Sequence, residues 1–119
     1  PGISADMREI EAAVAAGNPR AIMTMNVYNY RIKKYIGAYA AAMGGCDILV
    51  WTGGVGENQW ATRRVVCENM EYMGMKIDVE KNEGMRGEEM VISTPDSKVT
   101  IIVVPTDEEY MIAADTMDI

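Results

Sequence analysis

The sequence contains no histidine, no phenylalanine and only two cysteines among its 119 residues. Without histidine, this chain cannot supply a histidine general base, a Ser-His-Asp or Cys-His catalytic group, or a histidine metal ligand. The two cysteines, Cys46 and Cys67, lie far apart and match neither a disulfide framework nor a zinc motif. We therefore expect two reduced, buried thiols, as is typical of cytoplasmic proteins.

Basic residues and long apolar runs are also scarce. Eleven basic residues stand against 18 acidic ones, which gives a net charge of −7. No run of apolar residues approaches the roughly 18 that a membrane-spanning helix needs. These features predict a cytoplasmic protein that binds neither nucleic acid nor a membrane. The chain opens on Pro1 without a signal peptide, and this start predicts a piece of a longer protein.

Glycine and proline divide the first part of the chain into two predicted helices. Asp6 begins the first helix and Gly17 ends it. The second begins at Asn18, with proline at its first helical position, and runs to Gly44. Spacing by three and four predicts one buried face on this second helix, made of Met25, Tyr28, Ile32, Tyr35, Ile36, Tyr39 and Met43.

The middle of the chain predicts a strand, a turn and a helix. The apolar run at residues 48–51 predicts a strand covered on both faces, and a glycine turn follows at residues 52–56. A second long helix is predicted from Glu57 or Asn58 to Gly74. Its inward face is predicted to consist of Trp60, Val66, Cys67, Met70 and Met73.

The last part of the chain predicts three strands and a helix. Ile77 and Val79 indicate a short strand, and residues 90–93 and 99–104 indicate a hairpin whose second strand is buried. Thr106 begins the last helix. The order of these elements predicts a single α/β domain over residues 1–119, in which two buried strands each lead into a turn and a helix. We expect these strands, at 48–51 and 101–104, to be parallel neighbours in one sheet, with both turns at the same edge.

The first strand-to-helix junction, TGGVGEN at residues 52–58, places three glycines before a predicted helix. Glycine lets a ligand approach the backbone closely, and the start of a helix offers N–H groups to a phosphate. The segment lacks the last glycine of the GxGxxG dinucleotide-binding fingerprint, which would come three residues after Gly56. It also lacks the lysine of a P-loop. Spacing alone therefore leaves two interpretations open, a nucleotide-binding turn and a purely structural turn.

The second strand-to-helix junction carries three carboxylates, Asp107, Glu108 and Glu109. Acidic residues at the start of a helix complement the helix dipole, and that role alone would explain them. Carboxylate oxygens are also the ligands that Mg²⁺ prefers, together with water and a substrate phosphate. Both interpretations stay open from the pattern itself.

Two other conspicuous groups of residues have structural interpretations that require no ligand. The basic pairs Lys33-Lys34 and Arg63-Arg64 are interpreted as solvated helix faces. The eleven methionines are interpreted as core filler in a chain that has no phenylalanine.

Five segments, in this order, resemble the C-terminal part of the acetate kinase (acetokinase) family: GISADMR at 2–8, YRIKKYIGAY at 30–39, TGGVGEN at 52–58, VISTPDSK at 91–98 and PTDEE at 105–109. They span nearly the whole chain. The resemblance implies that the chain is roughly the last third of the full enzyme. It also implies part of a ribonuclease-H-like domain of the actin, Hsp70 and sugar-kinase superfamily, with a mixed sheet flanked by helices.

The resemblance implies binding roles for two groups of residues. The first group would line the adenosine part of a cleft for ATP or ADP, and the second would form a nucleotide-binding turn. These residues are Asp6, Met7 and Arg8 in the first group, and Gly54, Val55, Gly56, Glu57 and Asn58 in the second.

The resemblance also implies a metal ligand, since Glu108 matches the carboxylate that the family uses toward Mg²⁺. Two positions depart from the family pattern. Ala5 stands where the family often has glycine, and Asp107 stands where it commonly has asparagine. The second departure leaves open whether Asp107 or Glu108 holds the metal.

The reaction implied by the resemblance is reversible transfer of the γ-phosphoryl group of ATP to acetate, which gives acetyl phosphate and ADP. The full-length enzyme would be a homodimer. In the family, the acetate pocket and the groups nearest the transferred phosphoryl lie mostly upstream of this chain. No catalytic residue is therefore predicted here, and the isolated chain should be inactive. Two alternatives stay open: a propionate or butyrate kinase fragment, and a non-catalytic nucleotide-binding or assembly module.

Overall fold

The computed structural model describes residues 7–105, and these divide into two compact units, one ending at Ala38 and the other beginning at Tyr39. The first unit contains helix α1 (Met7–Ala15) and most of helix α2 (Pro19–Met43). In the described part of the chain, no helix is both long and apolar enough to cross a membrane.

The boundary between α1 and α2 has the predicted chemistry. Gly17 has a φ of +83°, the left-handed conformation that ends a helix, and its N–H donates to the carbonyl of Val14 at 2.9 Å. The side-chain oxygen of Asn18 then accepts hydrogen bonds from the backbone N–H groups of Arg20 and Ala21, at 2.9 and 3.2 Å. Asn18 is therefore the cap of α2, as the sequence predicted.

The buried face of α2 departs from the predicted one toward the end of the helix. The inward positions include Met25, Tyr28, Asn29, Ile32, Ile36 and Ala40. Tyr35, Tyr39 and Met43 were predicted to be buried but are 60%, 64% and 68% exposed. After Ile36 the inward face continues at Ala40, one helical turn later. With Ile36 and Ala40 on the inward face, Tyr35 and Tyr39 lie on the outward face.

The second unit is built on a three-stranded sheet. Its strands are β1 (Ile48–Trp51), β2 (Met90–Val91) and β3 (Thr100–Val103), in the order β1-β3-β2. β1 and β3 are parallel, with Trp51 opposite Val103, and β2 is antiparallel to β3. The two strands predicted to be parallel neighbours are confirmed as such, and their carboxyl ends lie at the same edge of the sheet.

The two faces of this sheet differ in burial. On one face Trp51, Ile101 and Val103 are buried, and they form the core with Val66, Met70, Met75 and Ile92. On the other face Val50 and Val91, which both lie opposite Ile102, are 42% and 43% exposed. The prediction of a first strand covered on both faces is therefore wrong for the described residues, since apolar composition does not specify what packs on each face.

The second long helix of the prediction is three separate helical segments: α3 (Gly53–Asn58), α4 (Trp60–Cys67) and a 3₁₀ turn (Glu71–Met73). The helix breaks at Gln59, whose φ and ψ are −97° and 76°, and again at Glu68, which is extended. The predicted inward residues Val66, Cys67 and Met70 are buried. Cys46 and Cys67 form no disulfide in the described part of the chain, and Cys46 is only partly buried.

The segment after Gly74 also differs from the prediction. Gly74 ends the 3₁₀ turn in the left-handed conformation, as the sequence predicted, with a φ of +86°. Ile77 forms only an isolated bridge with Ser93, and the predicted strand residue Val79 begins helix α5 (Val79–Asn82). The reason is Asp78, whose side chain accepts a hydrogen bond from the N–H of Lys81 at 3.2 Å and so caps a helix.

An ion pair joins the turn of the hairpin to the segment after Gly74. Lys76 Nζ donates to Asp96 Oδ2 at 2.7 Å, and the Thr94 hydroxyl donates to Asp96 Oδ1 at 2.7 Å. The hydrogen bond from Lys76 is the larger cause, and together these contacts lower the pKa of Asp96 from 3.8 to about 2.

The lowered pKa of Asp96 has a direct consequence for stability. Because the folded pKa lies below the unfolded one, the contribution of Asp96 is fully present above pH 3.8 and is lost as the pH falls through about 2. We expect Asp96→Asn to lower the thermal midpoint at neutral pH, and we expect this effect to shrink as the pH falls from 3.8 and to disappear below about 2. An NMR titration should give a carboxyl midpoint of about 2, which Lys76→Met should raise. A midpoint that Lys76→Met leaves unchanged would contradict this assignment.

Candidate functional site

The glycine-rich segment that was predicted to bind a nucleotide forms helix α3, directly after the carboxyl end of β1. Thr52 is extended, Gly53 has a φ of +77°, and the chain then enters α3. Gly53 therefore makes the sharp turn from strand to helix, in a conformation that residues with a side chain rarely adopt. The sequence predicted a loop followed by a long helix, whereas Gly53, Gly54, Val55 and Gly56 belong to the short helix itself.

Gly54 and Gly56 lie in opposite environments on α3. A Cβ at Gly56 would lie 3.0 Å from the carbonyl carbon of Trp51, so α3 packs directly against the backbone at the end of β1. Gly54 is exposed, and no heavy atom lies within 4 Å of the position that its Cβ would take. The fold therefore requires glycine at position 56 and leaves open space at position 54.

A loop after α5 lies against α3. The N–H of Gly87 donates to the carbonyl of Glu57 at 2.9 Å, and a Cβ at Gly87 would lie 3.8 Å from Asn58 Oδ1. Glu57 and Asn58 are themselves partly buried. Three consecutive residues of the predicted nucleotide turn, Gly56 to Asn58, thus lie against neighbours, Gly56 on the β1 side and the other two on the loop side.

The interpretation of Arg63-Arg64 as a solvated helix face is wrong for Arg63. This residue was predicted to lie on a solvated face, but it is 0% exposed and donates three hydrogen bonds inside the second unit. Helical spacing could have shown this, because positions 63, 66, 67 and 70 share one face and the last three are buried apolar residues. Arg64, next in the chain, is partly exposed and pairs with Glu68 at 3.2 Å, as a surface pair does.

Burial dominates the electrostatics of Arg63. Desolvation lowers the pKa of Arg63 below its ordinary value, Cys67 acts in the opposite direction, and neighbouring Arg86 lowers it further. The guanidinium stays charged nonetheless, because arginine keeps its proton throughout the range in which proteins function. The second unit therefore contains a buried positive charge close to α3.

The other predicted nucleotide residues lie at the start of α1. Met7 is partly buried and Arg8 is exposed on the first turn of that helix, in the first unit. Their neighbour Asp6 lies outside the described residues. Met7 and Arg8 thus lie in the first turn of a helix, as the sequence predicted, and their binding role stays a prediction.

The predicted metal ligand, Glu108, comes shortly after the end of β3 in the sequence. The N–H of Val104 donates to the carbonyl of Trp51 at 2.9 Å, so the parallel pairing continues to the point where both strands leave the sheet. Glu108 and Asp107 lie outside the described residues, as does Ala5. Among residues 7–105, no group of three or more acidic or cysteine side chains could hold a metal ion.

Comparison with known proteins gives the family. A model of the acetokinase family matches residues 1–114 of this chain. The chain belongs to the acetokinase family. It is 95% identical over 118 residues to the acetate kinase of Parabacteroides distasonis, a match that covers 99% of this chain and 30% of that protein.

Two solved structures support the fold of this acetokinase segment. The crystal structure of Porphyromonas gingivalis acetate kinase superimposes with a TM-score of 0.87 at 69% identity, over 95% of this chain and 28% of that one. A propionate kinase from Francisella tularensis gives a TM-score of 0.75 at 33% identity, over 91% of this chain and 27% of that one. The chain therefore spans less than a third of the relatives it matches, and it has the α/β, actin-like fold of their corresponding part.

Proposed function

We propose that this chain is the nucleotide-binding part of an acetate kinase, which transfers the γ-phosphoryl group of ATP to acetate and reverses that reaction. The observation that carries the proposal is the 95% identity to an acetate kinase over nearly the whole chain. Acetate is favoured over propionate because the relatives that are 95% and 70% identical to this chain are named acetate kinases.

The exposed side of α3 is where the nucleotide would bind. The first N–H groups of a helix have no partner within it, and they can therefore bind phosphate or other polar atoms of a nucleotide. The open space at Gly54 would let a ligand approach this backbone without meeting a side chain. α3 follows the carboxyl end of a parallel strand, the edge at which open α/β sheets bind ligands.

Glu108 would hold Mg²⁺ at the neighbouring junction. A carboxylate suits a hard cation that prefers oxygen ligands and keeps some of its water and substrate phosphate ligands. When bound, the metal would neutralise charge on the phosphates. The segment that carries Glu108 follows β3 as α3 follows β1, and the two parallel strands end at the same edge.

A chimeric enzyme tests the proposal in a complete protein. In it, this chain replaces the matching segment of the Parabacteroides distasonis acetate kinase. We expect ATP-dependent formation of acetyl phosphate by the chimeric enzyme and none by the isolated chain. We also expect ADP to slow amide hydrogen exchange in residues 53–58. A folded chimeric enzyme without activity would contradict the proposal and favour a non-catalytic module. An absence of protection in α3 would contradict the nucleotide role of that helix.

Gly54→Ala in the chimeric enzyme separates ligand binding from folding. Because the methyl group meets no protein atom, the thermal midpoint should stay the same or rise slightly, as is usual for alanine in a helix. The same methyl group would stand between the nucleotide and the backbone, so the KM for ATP should rise at least about tenfold.

The matched control for Gly54→Ala is Gly37→Ala. Gly37 lies in α2 with equally open space around its Cβ position. That variant should leave the KM for ATP unchanged. An unchanged KM in Gly54→Ala as well would show that the nucleotide does not approach α3 at this glycine.

A further inference from the structure

Arg63 is a buried charge that pairs with neutral oxygens. Its three hydrogen bonds go from Nε to Asn82 Oδ1 at 2.7 Å, from Nη1 to the carbonyl of Gly56 at 3.0 Å, and from Nη2 to the carbonyl of Met85 at 2.5 Å. Within residues 7–105, no carboxylate forms an ion pair with it. Burying a charged group away from water is costly, so a buried guanidinium without a carboxylate partner calls for an explanation.

The three acceptors belong to three separate segments. Gly56 is in α3, Asn82 ends α5, and Met85 is in the loop that follows α5. A planar guanidinium can direct donors to several oxygens at once, whereas the single ammonium of lysine cannot reproduce that fork. Asn82 extends the arrangement, because its Nδ2 donates to the carbonyl of Trp60 at 2.9 Å, at the start of α4.

Gly56 is the point at which this network meets the candidate nucleotide site. On one side, the absent Cβ of Gly56 lets α3 lie against the backbone of Trp51. On another side, Arg63 binds the carbonyl of Gly56. The loop that Arg63 binds at Met85 also binds α3 itself, through the hydrogen bond from Gly87 to Glu57. Arg63 thus fixes α3 directly and through the loop beside it.

We propose that Arg63 is a positioning residue for the nucleotide: it holds α3 in the orientation that binds ATP or ADP, without touching either. This inference rests on the proposed nucleotide role of α3. The guanidinium is 0% exposed, and each of its three nitrogens donates a hydrogen bond to a protein oxygen, so Arg63 would act through α3 and the neighbouring loop and not by contact with the nucleotide.

The test compares Arg63→Lys and Arg63→Met with Arg64→Met in the chimeric enzyme. Arg64 is the adjacent arginine, partly exposed in a surface pair, and its substitution removes the same charge without touching α3. For each variant, calorimetry gives the Kd for ADP, kinetics give kcat and the KM values for ATP and acetate, and a thermal scan gives the midpoint. Hydrogen exchange in residues 53–58 reports the order of α3 without ligand.

We expect both Arg63 variants to raise the Kd for ADP and the KM for ATP about tenfold, since charged hydrogen bonds to α3 are lost. The KM for acetate should stay the same, and α3 should exchange faster before ADP is added. Arg64→Met should match the wild type in every measurement. If Arg63→Met does not fold, Arg63→Lys, which keeps the charge and loses the fork, decides the question.

Two failures are distinguishable. If ADP gives no protection of α3 in the unsubstituted chimeric enzyme, the proposed nucleotide role of α3 fails and this inference fails with it. If that protection is present but Arg63→Lys binds ADP within about twofold of the wild type, the inference alone is overturned. A lowered thermal midpoint with an unchanged Kd would likewise overturn it, since Arg63 would then only stabilise the fold.

Discussion

Gly56→Ala is expected to destabilise the chimeric enzyme much more than Gly54→Ala, which adds the same methyl group on the same helix. The added methyl group would lie 3.0 Å from the carbonyl carbon of Trp51 and 3.4 Å from its Cα, closer than such atoms normally pack. The backbone of β1 cannot rotate away as a flexible side chain can, so α3 or β1 must shift. A forced displacement in a packed interior costs about 1–3 kcal/mol.

The same substitution should also affect the hydrogen bond between Arg63 and the carbonyl of Gly56. We therefore expect a lower thermal midpoint together with a higher KM for ATP, measured by scanning calorimetry and steady-state kinetics. Gly54→Ala is the matched control, because it adds the same methyl group two residues earlier into open space. Equal thermal midpoints for Gly54→Ala and Gly56→Ala would contradict the close packing of α3 on β1.

Glu108→Ala is expected to lower kcat of the chimeric enzyme by several orders of magnitude. Phosphoryl transfer depends on positive charge around the phosphates, and this acidic chain has a net charge of −7. Mg²⁺ would supply part of that charge, and Glu108 is the proposed carboxylate for it. Kinetics at increasing Mg²⁺ concentration measure both the loss of rate and any change in metal requirement.

Asp107→Asn is the control for the neighbouring carboxylate. It replaces the acidic residue by the one that the family commonly has, so we expect a small change in kcat. Near-normal activity of Glu108→Ala at saturating Mg²⁺, together with an inactive Asp107→Asn, would assign the metal to Asp107. If neither substitution lowered kcat, these residues would serve the helix dipole, and the metal proposal for this junction would be wrong.

Local chemistry explains which parts of the fold were predictable. Asn18 caps α2 through hydrogen bonds to residues two and three positions away, so the signal lies within four consecutive residues. Gly17 and Gly74 end helices because the left-handed conformation is a property of the residue at that position. The hairpin of β2 and β3 was likewise readable from short apolar runs around a turn.

Predictions failed where a local pattern was compatible with more than one arrangement. The spacing of apolar residues predicted one helix from Glu57 or Asn58 to Gly74, yet the chain breaks at Gln59 and Glu68, and no residue type marks those breaks in advance. Val79 has a strand-forming side chain, but the cap provided by Asp78 places it in α5. Intrinsic preference is weak compared with a specific hydrogen bond or a packing contact.

The features of the candidate site also fall into two groups, those that the sequence predicted and those that it did not. The sequence by itself determined the family, the parallel pairing of two apolar strands, and the glycine segment as the place of interest. These follow from motifs and from local preferences that act over a few residues. Only the tertiary structure decided that Gly56 is required by packing while Gly54 faces open space, and that Arg63 is buried beneath α3 while Arg64 is on the surface. Those distinctions arise from atoms far apart in the chain: Trp51, Asn82 and Met85 set the surroundings of residues that look alike in sequence.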